Sequence, residues 1–571
     1  MNNINPIYTE KTECQDCYKC VRECPVKAIK VQNGAAAIIP ESCVLCGHCV
    51  DVCPANAKKV RDDLEKVQNL LSGEKKVFVS LAPSFVSEFK NCKPEQLIAA
   101  LKLLGFSGVS ETALGAQQVS AHVAHQFSLQ SGKIFISSAC PTVVDLIVKY
   151  LPQYTSSITG LLSPMLSHCK ILKKKYGNDI GIVFIGPCIA KKREADSHPN
   201  LIDAALTFAD LREWFSRRNI DPAALTPQED DSFVPSVAEE GALYPVDGGM
   251  AATLKANCAV HDSCFMSFSG LKTITKALEE LDTAQLHGNL FIEALACEGG
   301  CINGPQTEKR SATALKRYSV VSYASYPKKK IPRSPGIPIN EYIADSPMVK
   351  KNYSEEEIKL ALRQVGKLSS KDELNCGGCG YDSCSDFAAA LLMGKAEKTM
   401  CVTYMRKLAQ NKARGLLRTM PSGVVIIDES MRIIESNRNF AKLFGADIES
   451  VFDANPGMEG ATLEKIVPFH GLFRHVLDTG EDIIQRDIRI ENRIFFGSIF
   501  TIEPHTVVGG VFADITTPSL QKEQIITRAQ EIINKNLGMV QKIAYLLGEN
   551  AAESEAVLNS IIESFSLQSP E

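Results

Sequence analysis

The chain has 571 residues, of which 45% are hydrophobic and 22% are charged, and its formal net charge is −4. This length allows several domains, and the nearly balanced charge argues against nucleic acid or an anionic membrane surface as a partner. The N-terminus lacks a basic start followed by an apolar core, and no segment has the roughly 18 consecutive apolar residues that a membrane span requires. We therefore expect a multidomain protein that stays in the cytoplasm.

The sequence contains 20 cysteines. Because the cytoplasm is reducing, metal binding is a better explanation for them than disulfides. Two runs near the N-terminus share the spacing C-x2-C-x2-C-x3-C-P, which is that of bacterial two-cluster ferredoxins, where the fourth cysteine of each run binds the other cluster. Zinc and structural thiols are disfavoured because the whole repeat, including both prolines, occurs twice. Residues 1–60 are thus predicted to form a ferredoxin-like domain with two [4Fe–4S] clusters, one on Cys14, Cys17, Cys20 and Cys53 and the other on Cys24, Cys43, Cys46 and Cys49.

A helical linker is expected over residues 61–75, and beyond it apolar strands alternate with helices over residues 76–365. This alternation predicts an α/β domain with a largely parallel sheet, in which ligand sites collect at the strand ends. The cysteines that follow such strands are Cys140, Cys188, Cys297 and Cys301. Taken singly, Cys140 and Cys188 are better explained as buried core thiols.

The segments "SSACP", "GPCIAKKRE" and "EALACEGGCINGPQ" occur in this order after the two ferredoxin runs. Together they resemble the three signature motifs of [FeFe]-hydrogenases. The resemblance implies an H-cluster, in which the four strand-end cysteines hold a [4Fe–4S] cube and Cys301 bridges to a diiron unit carrying CO, cyanide and an azadithiolate. It also implies that Lys191 donates to one cyanide and that Pro83 and Ser84 lie against the other. Two features of the sequence suit this interpretation. Lys191 would place a positive charge beside an anionic centre. The glycines of the third motif would let the backbone approach a bulky cluster closely; they are Gly299, Gly300 and Gly304.

The same motifs differ from the family pattern around the diiron pocket. Ala139 stands where the family has a cysteine that carries protons to the bridging amine, and "AHVAHQ" replaces the usual glutamates of the relay. His122 and His125 could shuttle protons, but surface or satisfied core histidines are the favoured interpretation. Since general acid–base help is worth about 10²–10⁴-fold, we expect slow turnover. Three further rim positions depart from the family pattern: Gly186, Leu295 and Met165.

Residues 366–405 contain four cysteines spaced C-x2-C-x4-C-x16-C: Cys376, Cys379, Cys384 and Cys401. They resemble a small [4Fe–4S] domain of electron-transfer and corrinoid proteins, with zinc as the alternative. The remaining cysteines are interpreted as ordinary core or surface thiols, although "CAVHDSC" raises the alternative of a metal site through His261. These are Cys92, Cys169, Cys258 and Cys264.

Residues 415–520 alternate strands and an amphipathic helix and resemble a PAS sensor domain. His470 and His475 raise haem as a minor alternative. Over residues 521–566 a helical segment places apolar side chains seven residues apart, at Ile526, Ile533, Val540 and Leu547. This spacing suits a short coiled coil that would make a homodimer, or a partner helix. Packing of a single helix on the PAS sheet is the competing interpretation.

Two functions follow from these resemblances. The first is a sensory [FeFe]-hydrogenase that interconverts H₂ with protons and electrons and passes a redox signal through its clusters to the PAS domain. It implies a ferredoxin-like redox partner, diiron-site maturation proteins and a separate phosphatase or kinase. The second is a hydrogenase-like Fe–S protein without the diiron unit, as in eukaryotic cytosolic Fe–S assembly factors. An ordinary fast hydrogenase is a weaker third alternative, which Ala139 disfavours.

Overall fold

The computed structural model describes residues 5–257, 264–279, 281, 288–309, 311–324, 331, 333–349, 351–490, 493–516, 529–543 and 545. The chain divides into two compact units, Met1–Arg363 with Leu368–Glu397, and Gln364–Lys367 with Lys398–Glu571. No helix in these described residues has the length and apolar run that a membrane crossing requires. Short 3₁₀ turns lie at Lys11–Glu13, Pro152–Ser157, Pro222–Ala224, Glu240–Leu243, Cys301–Asn303, Ser370–Asp372, Lys398–Met400 and Leu463–Lys465.

The first unit begins with two small antiparallel strand pairs that frame the ferredoxin-like cysteine runs. The outer pair joins Ile7 to Val60 and the inner pair joins Ile29 to Ile38. A linker helix then follows, within the segment where the sequence predicted one. The elements are β1 (Ile7–Thr9), α1 (Lys19–Glu23), β2 (Ile29–Gln32), β3 (Ala35–Ile38), α2 (His48–Asp51), β4 (Lys58–Val60) and α3 (Leu64–Leu71).

The α/β region contains two parallel sheets. The strands are β5 (Val77–Leu81), β6 (Gly108–Glu111), β7 (Ile134–Ile136), β8 (Gly181–Gly186), β9 (Ala204–Thr207), β10 (Phe265–Ser269) and β11 (Leu290–Leu295). One sheet has the order β6-β5-β8-β9 and the other β10-β11-β7. Every residue of β5, β8 and β11 is buried, as expected for strands covered on both faces. The parallel pairing predicted from the sequence is confirmed, but it is shared between two sheets.

Helices connect and cover these strands. They are α4 (Phe85–Glu88), α5 (Pro94–Leu103), α6 (Ala113–Leu129), α7 (Pro141–Tyr150), α8 (Pro164–Tyr176), α9 (Ala190–Ser197), α10 (Phe208–Arg217), α11 (Gly249–Asn257), α12 (Leu271–Glu279) and α13 (Thr313–Tyr323). Helix α7 begins with Pro141 at its first position, where a missing N–H costs nothing. This leaves Cys140 as the residue that precedes the helix.

The first unit ends with α14 (Glu355–Arg363) and α15 (Cys384–Leu392). Residues 368–397 join this unit through hydrogen bonds to the ferredoxin-like part. The N–H of Val31 donates to Lys395 O over 2.9 Å, and Lys27 Nζ donates to Gly380 O over 2.9 Å. The unit boundary therefore falls inside the segment 366–405, which the sequence predicted as one domain.

The second unit contains a five-stranded antiparallel sheet in the order β13-β12-β16-β15-β14. Its first strand pair and its last were both expected from the sequence, as was the helix after β13. Phenylalanines including Phe440, Phe473 and Phe512 fill the core between the sheet and the helices on one face. The elements are α16 (Val402–Thr419), β12 (Gly423–Asp428), β13 (Ile433–Ser436), α17 (Arg438–Leu443), α18 (Ala446–Ala454), α19 (His470–Thr479), β14 (Ile483–Ile490), β15 (Arg493–Glu503) and β16 (Val507–Asp514).

A helix over residues 529–543 packs on the sheet of its own unit. Ile533 lies against Phe496, and Val540 shares a core with Val511 and with Leu417 of α16. Both aliphatic side chains are fully buried by these contacts. At these two heptad positions the packing alternative is therefore confirmed over a coiled-coil seam, while Ile526 and Leu547 lie outside the described residues.

A histidine is buried in the polar centre of the first unit's core. The two ring nitrogens of His168 lie 2.8 Å from Ser80 Oγ and 2.8 Å from Ser110 Oγ. Burial lowers the pKa of His168 to about 3. The neutral ring offers one N–H and one lone pair, so one serine accepts a hydrogen bond and the other donates one.

We expect His168 to make the protein sensitive to acid. Its folded pKa is below its unfolded pKa, so the unfolded chain binds a proton that the folded chain excludes, and stability falls as pH drops below about 6.5. In His168→Gln, the loss of unfolding free energy between pH 7 and pH 5.5 should shrink by about 1 kcal/mol. Anaerobic urea unfolding followed by the fluorescence of Trp214, the single tryptophan, measures this. An equal shrinkage in the control His475→Gln, an exposed site, would contradict the assignment.

Candidate metal and H-cluster site

The four predicted H-cluster cysteines lie after the carboxyl ends of strands in both parallel sheets. Cys140 follows β7 and Cys188 follows β8, each just before a helix. Cys297 comes directly after β11, and Cys301 begins a short turn. Because β7 and β11 are neighbours in one sheet and β8 belongs to the other, the four thiols meet where the two sheets face a common loop region.

The thiols of this group are close enough to perturb one another. Burial raises the pKa of Cys188 to about 11, and Cys140 adds to this effect. Burial also raises the pKa of Cys297, and the other three cysteines of the group raise it further. Burial raises the pKa of Cys301 as well, and Cys140 and Cys188 add to that rise. The structure therefore brings all four half-buried residues close enough together for their charges to interact, which is the arrangement that shared metal binding by thiolates requires.

Glycines permit this convergence. Gly300 has φ +102°, and a Cβ there would lie 2.3 Å from Pro245 O. At Gly304 a Cβ would lie 2.8 Å from Pro187, the residue before Cys188. Any side chain at these positions would separate the loop that carries Cys301 from its neighbours.

Lys191 lies beside the thiols and is almost completely buried. Its Nζ lies 2.9 Å from Ser163 Oγ and 2.5 Å from Glu194 Oε2. Its charge acts on Cys188 and on Cys301. The lysine is thus held by two partners, close enough to the thiols for its charge to act on two of them.

Pro83 and Ser84 follow β5 and are buried near the same strand ends. Within the described residues, Ser84 Oγ is buried and has no hydrogen-bond partner. A buried hydroxyl without a partner is costly and calls for an explanation such as an absent ligand.

The rim positions that depart from the family pattern are filled in a specific way. Ala139 is half-buried, and its N–H donates to Ser137 Oγ over 3.2 Å. Gly186 has no room for the family's methionine, because a Cβ there would lie 2.5 Å from the ring of Phe184. Leu295 and Met165 are both buried.

Neither histidine of α6 enters the pocket. His122 Nε2 lies 2.7 Å from Ile337 O, and His125 is exposed. The prediction of a satisfied or surface histidine is confirmed for both.

The sequence did not single out Glu293, a buried carboxyl in the middle of β11. One of its oxygens accepts a hydrogen bond from Ala251 N over 2.9 Å, whereas Oε1 is buried without a partner among the described residues. Burial raises the pKa of Glu293 to about 8, and its charge acts on Cys301. The sequence signal that could have identified Glu293 is an acidic residue within an otherwise apolar strand.

The ferredoxin-like cysteines also form two sets. Burial raises the pKa of Cys20 to about 11, with Lys58 opposing and Cys17, Cys14 and Cys53 adding to the rise. Burial likewise raises the pKa of Cys46 to about 12, and Cys24 and Cys43 add to the rise. Burial also raises the pKa of Cys49, to which Cys46, Cys43 and Cys24 all contribute. Three sulfurs accept backbone hydrogen bonds: Cys24 from Ala28, Cys43 from Leu45 and Cys53 from Ala57. Each set contains the fourth cysteine of the opposite run.

The second of these sets adjoins the strand-end site. Cys46 is close enough to raise the pKa of Cys297 further after burial and the nearer cysteines. A Cβ on Gly47 would lie 2.4 Å from Pro305 Cβ. The loops of the two sites are therefore in direct contact.

The cysteines of the third module are divided between the units. Cys376, Cys379 and Cys384 belong to the first, and Cys401 precedes α16 in the second. Tyr381 lies near both Cys379 and Cys24, since after burial these two thiols raise its pKa. Of the leftover cysteines, Cys169 is buried and Cys92 and Cys264 are half-buried. Cys258 and His261 lie outside the described residues.

The residues present fit iron–sulfur clusters. The donors are thiols alone, gathered in fours at two places in the ferredoxin-like part and once at the strand ends. In the described part of the chain, no three His, Cys, Asp or Glu side chains converge closely enough for a single metal ion. The sets of four thiols match the donor set of a [4Fe–4S] cluster, whose four thiolate ligands bind different irons. The partnerless Ser84 Oγ beside the strand-end thiols leaves a donor for a further group there.

Comparison with known families agrees with this arrangement. Residues 75–305 match the profile of the iron-only hydrogenase large subunit, C-terminal domain. Residues 6–54 match a 4Fe–4S dicluster domain, and an Fe–S cluster profile matches residues 372–403. Residues 75–305 are thus similar to the C-terminal domain of the iron-only hydrogenase large subunit, and the two flanking segments are similar to iron–sulfur cluster domains.

Individual proteins similar to this chain include two curated proteins and one solved structure. Iron hydrogenase 1 of Clostridium pasteurianum is 27% identical over 300 residues, which is 43% of this chain and 52% of that protein. Protein NAR1 of Arabidopsis thaliana is 24% identical over 320 residues, covering 43% of this chain and 68% of its own length. A solved structure of the [FeFe]-hydrogenase HydA1 from Chlamydomonas reinhardtii aligns with 48% of this chain and 91% of its own, at 19% identity and a TM-score of 0.37. The chain spans about half the length of the first curated relatives that it matches.

Proposed function

We propose that this protein is a sensory [FeFe]-hydrogenase of low turnover, acting in the cytoplasm. It would catalyse H₂ ⇌ 2 H⁺ + 2 e⁻ at an H-cluster and pass a redox signal to its second unit. The observation that carries the proposal is the half-buried group of Cys140, Cys188, Cys297 and Cys301, on which the charge of Lys191 acts, together with the hydroxyl of Ser84, which has no partner among the described residues.

The four cysteines would hold the [4Fe–4S] cube, with Cys301 also bound to the diiron unit. When bound, the diiron unit supplies heterolytic cleavage of H₂. Lys191, fixed by Ser163 and Glu194, would orient the unit through its cyanide, and Ser84 with Pro83 would contact the opposite side.

Electron transfer is supported by the order of the thiol sets. Cys46 adjoins Cys297, and Tyr381 adjoins both Cys24 and Cys379. Electrons would leave through the cluster of Cys24, Cys43, Cys46 and Cys49 toward the other ferredoxin-type cluster and the four-cysteine module. A ferredoxin-like partner would exchange electrons at Cys17, which is exposed.

The signalling part of the proposal rests on the second unit. Its antiparallel sheet with a phenylalanine-filled core is compatible with the PAS domain that the sequence resembles. The Fe–S module that includes Cys401 directly precedes α16, so a change of cluster charge would occur next to this unit in the chain. A phosphatase or kinase would receive the signal, and separate maturation proteins would load the diiron unit.

A hydrogenase-like Fe–S protein without the diiron unit is the second candidate. Similarity to Protein NAR1 favours this candidate, because the match covers 68% of that protein, against 52% for iron hydrogenase 1. The same cysteines would then hold a cube that only transfers electrons.

Infrared spectroscopy after maturation with the diiron-site machinery separates the two candidates. We expect CO and cyanide bands from the wild type, because the ligand set and Lys191 are complete. The bands should vanish in Cys301→Ala and persist in Cys92→Ser, a half-buried thiol outside the group. Electron paramagnetic resonance of the ferredoxin-type clusters checks that each variant is folded. A folded, cluster-loaded wild type without these bands would support the second candidate.

A further inference from the structure

Two cations from the H-cluster domain converge on one carbonyl of the ferredoxin-like part. Lys149 Nζ donates to Cys43 O over 2.8 Å, and Arg193 Nη1 lies 3.4 Å from the same oxygen. Lys149 lies in the last turn of α7, the helix that starts after Cys140, and Arg193 lies on α9, which starts after Cys188. The helices that follow two H-cluster cysteines therefore both present a positive charge to the Cys43 loop.

This cation pair is shielded from solvent. The side chain of Lys149 is 12% exposed and that of Arg193 is 31% exposed. Asp145 forms an ion pair with Arg193 and lies 4.0 Å from Lys149, so the three residues carry one net positive charge. Glu41 also acts on Lys149, so with this second carboxylate the group has no net charge, and its effect on Cys43 comes from the two cations that contact the Cys43 loop directly. Limited exposure weakens the screening of these cations by water and salt.

The charge acts on the cluster ligand itself. Arg193 and Lys149 are the cations that act most strongly on the Cys43 sulfur. Reduction of a [4Fe–4S] cluster from the 2+ to the 1+ state adds one electron, and a nearby cation stabilises the more negative state. Net charge and hydrogen bonds around the cluster are known determinants of its reduction potential.

We propose that Lys149 and Arg193 are positioning residues that act through Cys43 to raise the reduction potential of the cluster on Cys24, Cys43, Cys46 and Cys49. Of the ligands of this cluster, Cys46 lies near Cys297, and Cys24 lies near Tyr381, which is also near Cys379. The consequence rests on the proposed function. H₂ → 2 H⁺ + 2 e⁻ releases two electrons, and a higher reduction potential favours their transfer, one at a time, to this cluster. The arrangement favours H₂ oxidation, the direction that a sensor of H₂ requires.

Redox titration of the full chain prepared without the diiron-maturation machinery tests this. The cluster's one-electron step is identified as the step that is lost in Cys43→Ala. In Lys149→Gln we expect the reduced-to-oxidised ratio of this cluster at fixed potential to fall roughly tenfold, which corresponds to about −59 mV. Lys149→Arg should keep the ratio within about threefold, since it retains the charge. Asp145→Asn should shift the step in the opposite direction, because it removes the neutralising carboxylate.

Arg217→Gln is the matched control, because this arginine pairs with Glu213 on the surface. A shift of the identified step alone, with opposite signs in Lys149→Gln and Asp145→Asn, supports the proposal. An unmoved step, or an equal shift of every step, overturns it. If Lys149→Gln loses cluster iron, the sign of the Asp145→Asn shift decides. The titration uses protein without the diiron unit, so its outcome does not depend on the infrared experiment. The two proposals can therefore fail separately.

Discussion

Replacing Ala139 with cysteine is expected to raise the H₂ turnover of the matured protein by about 10²–10⁴-fold. The wild-type alanine has no group that carries a proton, and its N–H is already engaged by Ser137. A thiol at this half-buried position would return a proton carrier beside the Cys140 loop. H₂ evolution and uptake assays, normalised to the intensity of the CO and cyanide infrared bands, measure the change.

Ala139→Val serves as the control, since valine adds a similar volume without a transferable proton. We expect the valine variant to be no faster than the wild type. If Ala139→Cys carries a full complement of the diiron unit and its rate is unchanged, proton delivery at this position does not limit turnover.

Replacing Lys192 with methionine is expected to destabilise the first unit by about 3–5 kcal/mol. Lys192 is completely buried, and its Nζ lies 3.1 Å from Asp63 Oδ2 and 2.8 Å from Asp210 Oδ2. Without the ammonium group, two carboxylates would remain in the interior without their shared cation. Because Asp63 directly precedes the linker helix, the ion pairs also hold the start of the linker against the helix that carries Lys191.

Urea unfolding under anaerobic conditions, followed by Trp214 fluorescence, measures this loss, since Trp214 lies on the same helix as Asp210. In the triple variant Lys192→Met, Asp63→Asn and Asp210→Asn, much of the stability should return, because no buried charge is left uncompensated. Arg217→Gln, which breaks an exposed pair, should cost less than about 1 kcal/mol. Equal losses in the single and triple variants would show that packing rather than charge holds this region.

Local spacing determined much of what could be predicted here. The order of strands and helices from residue 76 onward followed from apolar runs, and the parallel pairing followed from their alternation. Proline after Cys140 and after the fourth cysteine of each N-terminal run marks places where the chain changes direction, which is a property of the residue itself. Ala139 could likewise be identified as a lost proton carrier from its position in a motif.

The tertiary structure decided what depends on residues distant in the chain. Glu293 is a buried acid only because β11 lies between two other strands, and no local pattern reports that burial. The space at Gly186 is closed by Phe184, and the charge around Cys43 comes from residues more than one hundred positions away. Ile533 and Val540 illustrate the same limit: a seven-residue repeat shows that one helix face will be buried, but only the fold reveals that the covering surface is the sheet of its own unit.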